Sequence, residues 1–144
     1  MSNTTKIVIN DKYGGFGLSD AAIRRYLEIK GQEVWLEINS LYTQVWLVPP
    51  EERVAELPGR WHEHSTEVRE EYNRKYSEQI FRVDHLDRTD PILVQVVEEL
   101  GEEASDRCAE LIIEELPKGT LYRINEYDGL ESIETADSVD WSVA

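Results

Sequence analysis

Lys6-Ile7-Val8-Ile9-Asn10, Asp11-Lys12-Tyr13-Gly14-Gly15-Phe16-Gly17 and Leu18-Ser19-Asp20 follow one another without a break. The first run is β-branched and does not alternate with polar residues, the pattern of a strand buried on both sides. Gly14, Gly15 and Gly17 offer the positive-φ freedom that a tight reversal needs. Ser19 reads as a helix N-cap, with Asp20 in the first turn favouring the helix dipole and Leu18 paired to Ile23 as a hydrophobic staple. Ile23, Tyr26, Leu27 and Lys30 keep helical spacing until Gly31 stops the helix. The stretch is strand, glycine turn, helix.

Downstream, 33–38 and 44–48 read as two short strands, ended by Pro49-Pro50. Residues 51–77 are charged and poor in aliphatics, with Val68, Tyr72 and Tyr76 recurring every fourth position as the narrow apolar stripe of a helix. Gln79–Val83 alternates like a short strand. Asp90-Pro91 opens a second core helix with Leu93, Val96, Val97 and Leu100 on one face and Gly101 at its end. Strands follow at 110–116 and 121–125, and Asp128-Gly129 turns a hairpin into 130–134. The expected architecture is α+β, a single small domain with a mixed or antiparallel sheet, two packed helices and a charged helical insertion. The core covers 5–48 and 79–134, the insertion or arm about 49–78, and an acidic tail with Trp141 covers 135–144.

The chain has 144 residues, 40% of them hydrophobic, with four Trp, seven Tyr and two Phe, which suits one folded domain. No apolar run approaches the roughly 18–20 residues of a membrane span. Met1-Ser2-Asn3-Thr4-Thr5 lacks the basic and apolar regions of a secretory signal. Cys108, the single cysteine, cannot form an internal disulfide, so the expected compartment is the cytoplasm. Thirty acids against fifteen bases give a net charge of −15, which repels nucleic-acid backbones and anionic membranes. Carboxylates on a rigid surface could instead occupy the groove of a basic host protein, DNA mimicry included.

The motifs that carry chemistry are incomplete. The glycine turn lacks the Lys-Ser or Lys-Thr of a phosphate loop and both nucleotide-binding spacings. His62, His64 and His85 do not form a zinc pattern, and His64-Ser65-Thr66 is half of a two-element phosphodiesterase site. Asp84, Asp87 and Asp90 could hold Mg²⁺ for hydrolysis, although Asp90 is already explained as a helix cap. Cys108, with no histidine motif nearby, reads as a buried thiol rather than a nucleophile. Neither catalysis nor a cofactor is expected. Arg88, Arg107 and Arg123 sit in an otherwise acidic chain, and Tyr122 adjoins Arg123, so these four are the candidate binders of an anionic, base-bearing ligand. The competing reading pairs each arginine with one of the many carboxylates.

Lys6–Asn10, Tyr13-Gly-Gly-Phe-Gly-Leu-Ser19, Arg88-Thr-Asp-Pro91, Val96–Gly101 and Asn125-Glu-Tyr-Asp-Gly129 together resemble a family of small proteins encoded by tailed phages and prophages. The match covers 6–31 and 88–134. The architecture is also similar to that of Thoeris anti-defence sponges, which bind cyclic nucleotide or ADP-ribose-type signals without cleaving them. That resemblance implies a homo-oligomer in the host cytoplasm that sequesters such a signal in arginine-lined pockets. The alternatives are an acidic module that inhibits a basic host protein and, remotely, a Mg²⁺-dependent hydrolase.

Overall fold

The structure, a computed structural model, describes residues 3–38 and 43–136. The expected tail anchor Trp141, with Asp137 and Asp140, lies outside the described residues. In chain order the elements are β1 (Thr4–Asn10), α1 (Asp20–Ile29), β2 (Trp35–Ile38), β3 (Thr43–Trp46), α2 (Thr66–Gln79), α3 (Pro91–Leu100), β4 (Leu111–Pro117), β5 (Tyr122–Tyr127) and β6 (Leu130–Thr135), joined by loops and short 3-10 turns. The fold is α+β. Its described strands form three antiparallel ladders, β1 with β4, β2 with β3 and β5 with β6, rather than one sheet. The chain divides into two compact units, one joining the stretch up to Ile29 with the stretch from Val83 onward, the other formed by Lys30–Arg82. The β2–β3 hairpin therefore belongs with the charged middle of the chain and not with the strands at its ends.

In the first unit β1 buries Ile7, Val8, Ile9 and Asn10 in succession, as its unalternating sequence predicts. Val8 lies opposite Ile113 of β4 and Ile9 opposite Ile112. Helix α1 buries Ala22, Ile23, Tyr26 and Leu27 and packs on α3, which buries Leu93, Val94, Val96 and Val97 and reaches both strands. Each such aliphatic side chain contributes about 1.5–3 kcal/mol when fully removed from water. Both helix starts behave as read. Ser19 Oγ accepts the Ala22 N–H at 3.1 Å and donates to the Glu103 carbonyl at 2.6 Å. Asp90 Oδ1 accepts the Ile92 N–H at 2.9 Å, with Pro91 at the first helical position. The other Asp90 oxygen accepts the Tyr26 hydroxyl, so one carboxylate caps α3 and ties it to α1. Burial, then that hydrogen bond, push the Tyr26 hydroxyl well above its ordinary pKa.

The second unit is held mainly by aromatic rings and side-chain hydrogen bonds. Trp46 on β3 meets Tyr76 on α2 edge-on at 5.6 Å, Tyr76 stacks on Tyr72 at 6.1 Å, and Tyr72 meets Trp61 at 5.6 Å. Trp46 Nε1 donates to Glu37 at 3.0 Å, and the Arg53 guanidinium lies 4.7 Å over the indole. The Tyr76 hydroxyl donates to Gln44 at 2.8 Å. Ser65 caps α2, its Oγ accepting the Val68 N–H at 3.2 Å.

Two local expectations need correction. Gln79–Val83 is not a strand, because α2 runs on through Gln79; what remains is a bridge from Ile80 to Trp46, and Val83–His85 is a 3-10 turn. Cys108 is exposed rather than buried. It sits in the turn before β4, where its N–H is held by Asp106 Oδ1 at 2.8 Å, and Ala109 takes the inward position.

Candidate functional site

The most densely connected polar group of the first unit is Asn10, fully buried at the end of β1. Its Nδ2 donates to the carbonyls of Lys12 (2.7 Å) and Gly129 (2.8 Å), and its Oδ1 accepts the Glu110 N–H (2.8 Å). Its backbone N–H donates to Glu131 Oε1 at 2.8 Å. One side chain thus fastens the glycine loop, the start of β4 and the β5–β6 turn together. A buried amide with every hydrogen-bonding group used specifies a single arrangement.

The glycines are explained by close approach as well as by φ. Gly129 follows Asp128 in the hairpin turn, both at positive φ, and a Cβ on it would stand 2.1 Å from the Gly15 nitrogen. A Cβ on Gly14 would meet the Cys108 carbonyl at 2.8 Å, and one on Gly17 would overlap the Asp106 carboxylate. The glycine loop is therefore packed against backbone, and Gly14 N–H already donates to the Asp128 carbonyl at 3.1 Å.

Arg88 adjoins this knot. Its Nη1 and Nη2 donate to the two oxygens of Glu131 at 2.6 and 2.9 Å, Nη1 also reaches the Val8 carbonyl at 3.3 Å, and the guanidinium lies 3.6 Å over the Phe16 ring. Glu131 is only 8% exposed, so this is a desolvated, bidentate pair. A cleft of about 430 Å³ opens beside it, lined by Phe16, Arg88, Ile124, Glu126 and Glu131 with Gly15 and Gly129.

A second cleft of about 230 Å³ lies at the same hairpin end, lined by Asp11, Asn125, Glu126, Tyr127, Leu130, Glu131 and Ser132. It holds three carboxylates and no basic side chain. Glu126 and Glu131 stand directly opposite each other across the ladder, a like-charge pairing that repels. Arg88 neutralises Glu131, whereas Glu126 uses one oxygen on the Gly129 N–H (2.7 Å), and among the described residues neither it nor Asp11 has an ion pair. The Tyr127 ring is 75% exposed and meets Tyr13, 58% exposed, edge-on at 6.5 Å. Among the described residues no group of three His, Cys, Asp or Glu is arranged to hold a metal ion, Asp84, Asp87 and Asp90 included.

The four residues expected to bind a ligand do not share one pocket. Arg88 lines the larger cleft; Arg107, Tyr122 and Arg123 are not among its lining residues. Strand alternation puts Tyr122 on the Glu126 face of β5 and Arg123 on the opposite face. There Arg123 donates to both oxygens of Glu134 at 3.0 and 2.9 Å, holding that carboxyl below its usual range. Arg107 is exposed in the turn before β4. Sequence reading missed Asp11, Phe16, Glu126, Tyr127 and Glu131. The Asp128-Gly129 turn was the usable signal, because a two-residue turn fixes Glu126 opposite Glu131.

Compared with family models, curated proteins and solved structures, the chain matches none.

Proposed function

We propose that this protein is an acidic binding module that engages a basic partner protein, taking a lysine or arginine side chain into the Asp11–Glu126–Tyr127 cleft. The observation that carries this reading is a pocket whose charged lining is wholly anionic, beside an exposed tyrosine pair. A guest cation would pair with Asp11 and Glu126, the two carboxylates of the cleft that Arg88 does not neutralise, and lie against an aromatic ring, a contact of about 0.5–2 kcal/mol. Exposed tyrosines are also the residues on which protein interfaces concentrate their binding energy. The first unit carries twenty of the acids against eight bases, which steers a basic partner toward it.

Sequestration of an anionic cyclic nucleotide, which the resemblance to phage counter-defence sponges implies, is the second reading. Arg88 stacked on Phe16 in the larger cleft favours it. Weighing against it, Arg88 and Arg123 are each engaged by a carboxylate, and a phosphate would have to displace Glu131 or Glu134. Titration of the whole protein with an arginine- and lysine-rich peptide, and in parallel with cyclic dinucleotides and cyclic ADP-ribose, separates the two. The first reading expects peptide binding that weakens with salt and falls about tenfold in Glu126→Gln, the loss of one charge-assisted contact. Glu63→Gln in the second unit should leave it unchanged. Nucleotide binding without peptide binding would overturn the first reading in favour of the second.

A further inference from the structure

We infer that the basic partner docks along the open edge of β5, adding to it as an extended strand. This rests on the reading of the anionic cleft given above and specifies the segment that fills it. The β5–β6 ladder has two strands, and β6 is the one that packs toward β1, so β5 is the outer strand. The Ala136 N–H donates to the Leu121 carbonyl at 3.1 Å, which fixes the alternation of the ladder. Leu121, Arg123, Asn125 and Tyr127 turn their backbone groups to the β6 side. Tyr122, Ile124 and Glu126 therefore turn their N–H and C=O groups outward, where they meet no hydrogen-bond partner among the described residues. Protected edges are short, bulged, or guarded by proline or lysine. β5 has six residues in unbroken one-to-one register and contains neither proline nor lysine. Its arginine, Arg123, is tied back to Glu134 on β6. Every residue of the strand except Ile124 is exposed.

The chemistry of the edge selects the occupant. Donors and acceptors alternate along it, with outward residues about 7 Å apart, a row that an extended backbone matches and that separate side chains do not. Neighbouring side chains of an added strand fall on opposite faces of the ladder. On one face lie Asn125 and Tyr127, which line the anionic cleft with Asp11. On the other lies Ile124, which lines the larger cleft with Phe16 and Arg88. The segment therefore carries a basic residue, long enough to reach the Asp11–Tyr127 side, directly beside an apolar one that covers Ile124 and Phe16. A second copy of this chain suits the edge poorly, because it would set two units of twenty acids and eight bases side by side.

Amide hydrogen exchange, followed by NMR on the whole protein with and without a short peptide alternating lysine and valine, tests this. At saturation the amides of Tyr122, Ile124 and Glu126 should slow by about tenfold or more, while those of Arg123, Asn125 and Tyr127, already turned to β6, change little. Two methylated peptides of equal charge add a second readout, one blocked at the valine nitrogens and the other at the lysine nitrogens. Each blocks one edge of the peptide, so one of them should lose about tenfold in affinity and the other keep it. Binding that leaves the three outward amides unchanged, or equal binding of both methylated peptides, overturns the inference and leaves the cleft reading standing. So does failure of the lysine–valine peptide where the arginine- and lysine-rich peptide binds. If neither peptide binds, the cleft reading falls and the inference with it. Protection of the same three amides that rises with protein concentration alone would place a second copy on the edge, which also overturns it.

Discussion

Between Ile7 and Asn10 the chain buries four residues in succession, whereas between Thr66 and Gln79 it buries none. The same contrast runs through the two units. Among the described residues the first buries fifteen apolar side chains and the second three, Val45, Trp46 and Ile80. Stability in the first unit comes from burial around a satisfied polar knot. In the second it comes from rings laid edge-on or stacked and from helix-surface pairs such as Arg74 with Glu71 and Glu78. A well-packed unit can hold a site rigidly, and a lightly packed one leaves apolar surface such as Trp61 and Val68 in contact with solvent.

The largest expected effect breaks the polar knot. Arg88→Met should destabilise the protein by about 3 kcal/mol, because it leaves Glu131 charged and buried without its partner. Arg88→Met with Glu131→Gln should recover most of that loss, since the neutral amide oxygen still accepts the Asn10 N–H. Urea unfolding of the wild-type protein and both variants measures both numbers; a mild single variant would mean that the pair is solvated. Glycines sharpen the contrast next. Gly129→Ala adds a methyl against the Gly15 backbone at positive φ and should cost about 2–4 kcal/mol, whereas Gly59→Ala, whose only close neighbour is the flexible Glu63 carboxylate, should cost about 1 kcal/mol. Equal losses would remove the distinction between a close-packed and a loose unit.

The smallest effect is electrostatic. Hydrogen bonds from Arg25 and Gln95 hold the Glu99 carboxyl at about 2. A group depressed in the folded state contributes stability above its ordinary pKa and loses it as pH falls toward the folded value. The melting temperature should therefore drop between about pH 5 and pH 2, and Glu99→Gln should flatten that slope slightly. An unchanged slope would show that the Arg25–Glu99 link between α1 and α3 is solvated and inert.

Much of the fold was legible because its signals are local. A β-branched run, a capping serine and an Asp-Pro helix start each act within a few residues, and β1, α1 and α3 follow them. The Gln79–Val83 strand failed because alternation over five residues cannot say where the preceding helix ends. The site was less legible. Arg88, Arg107, Tyr122 and Arg123 were chosen for residue type, and alternation along β5 set Tyr122 and Arg123 on opposite faces.

By itself the sequence determined the opening strand, glycine turn and helix, the Asp90-Pro91 helix, and the acidic balance with its uneven division along the chain, since composition and short-range sterics settle these. Only the tertiary structure decided that Asn10, Arg88 and Glu131 close one buried network, and that Asp11, Glu126 and Tyr127 border one cleft. The first and last residues of each group lie more than a hundred positions apart in the chain. What joins them is the antiparallel return of β4 onto β1 and the seat of Gly129 on the glycine loop. Long-range burial, which no local pattern encodes, turned scattered charges into a site.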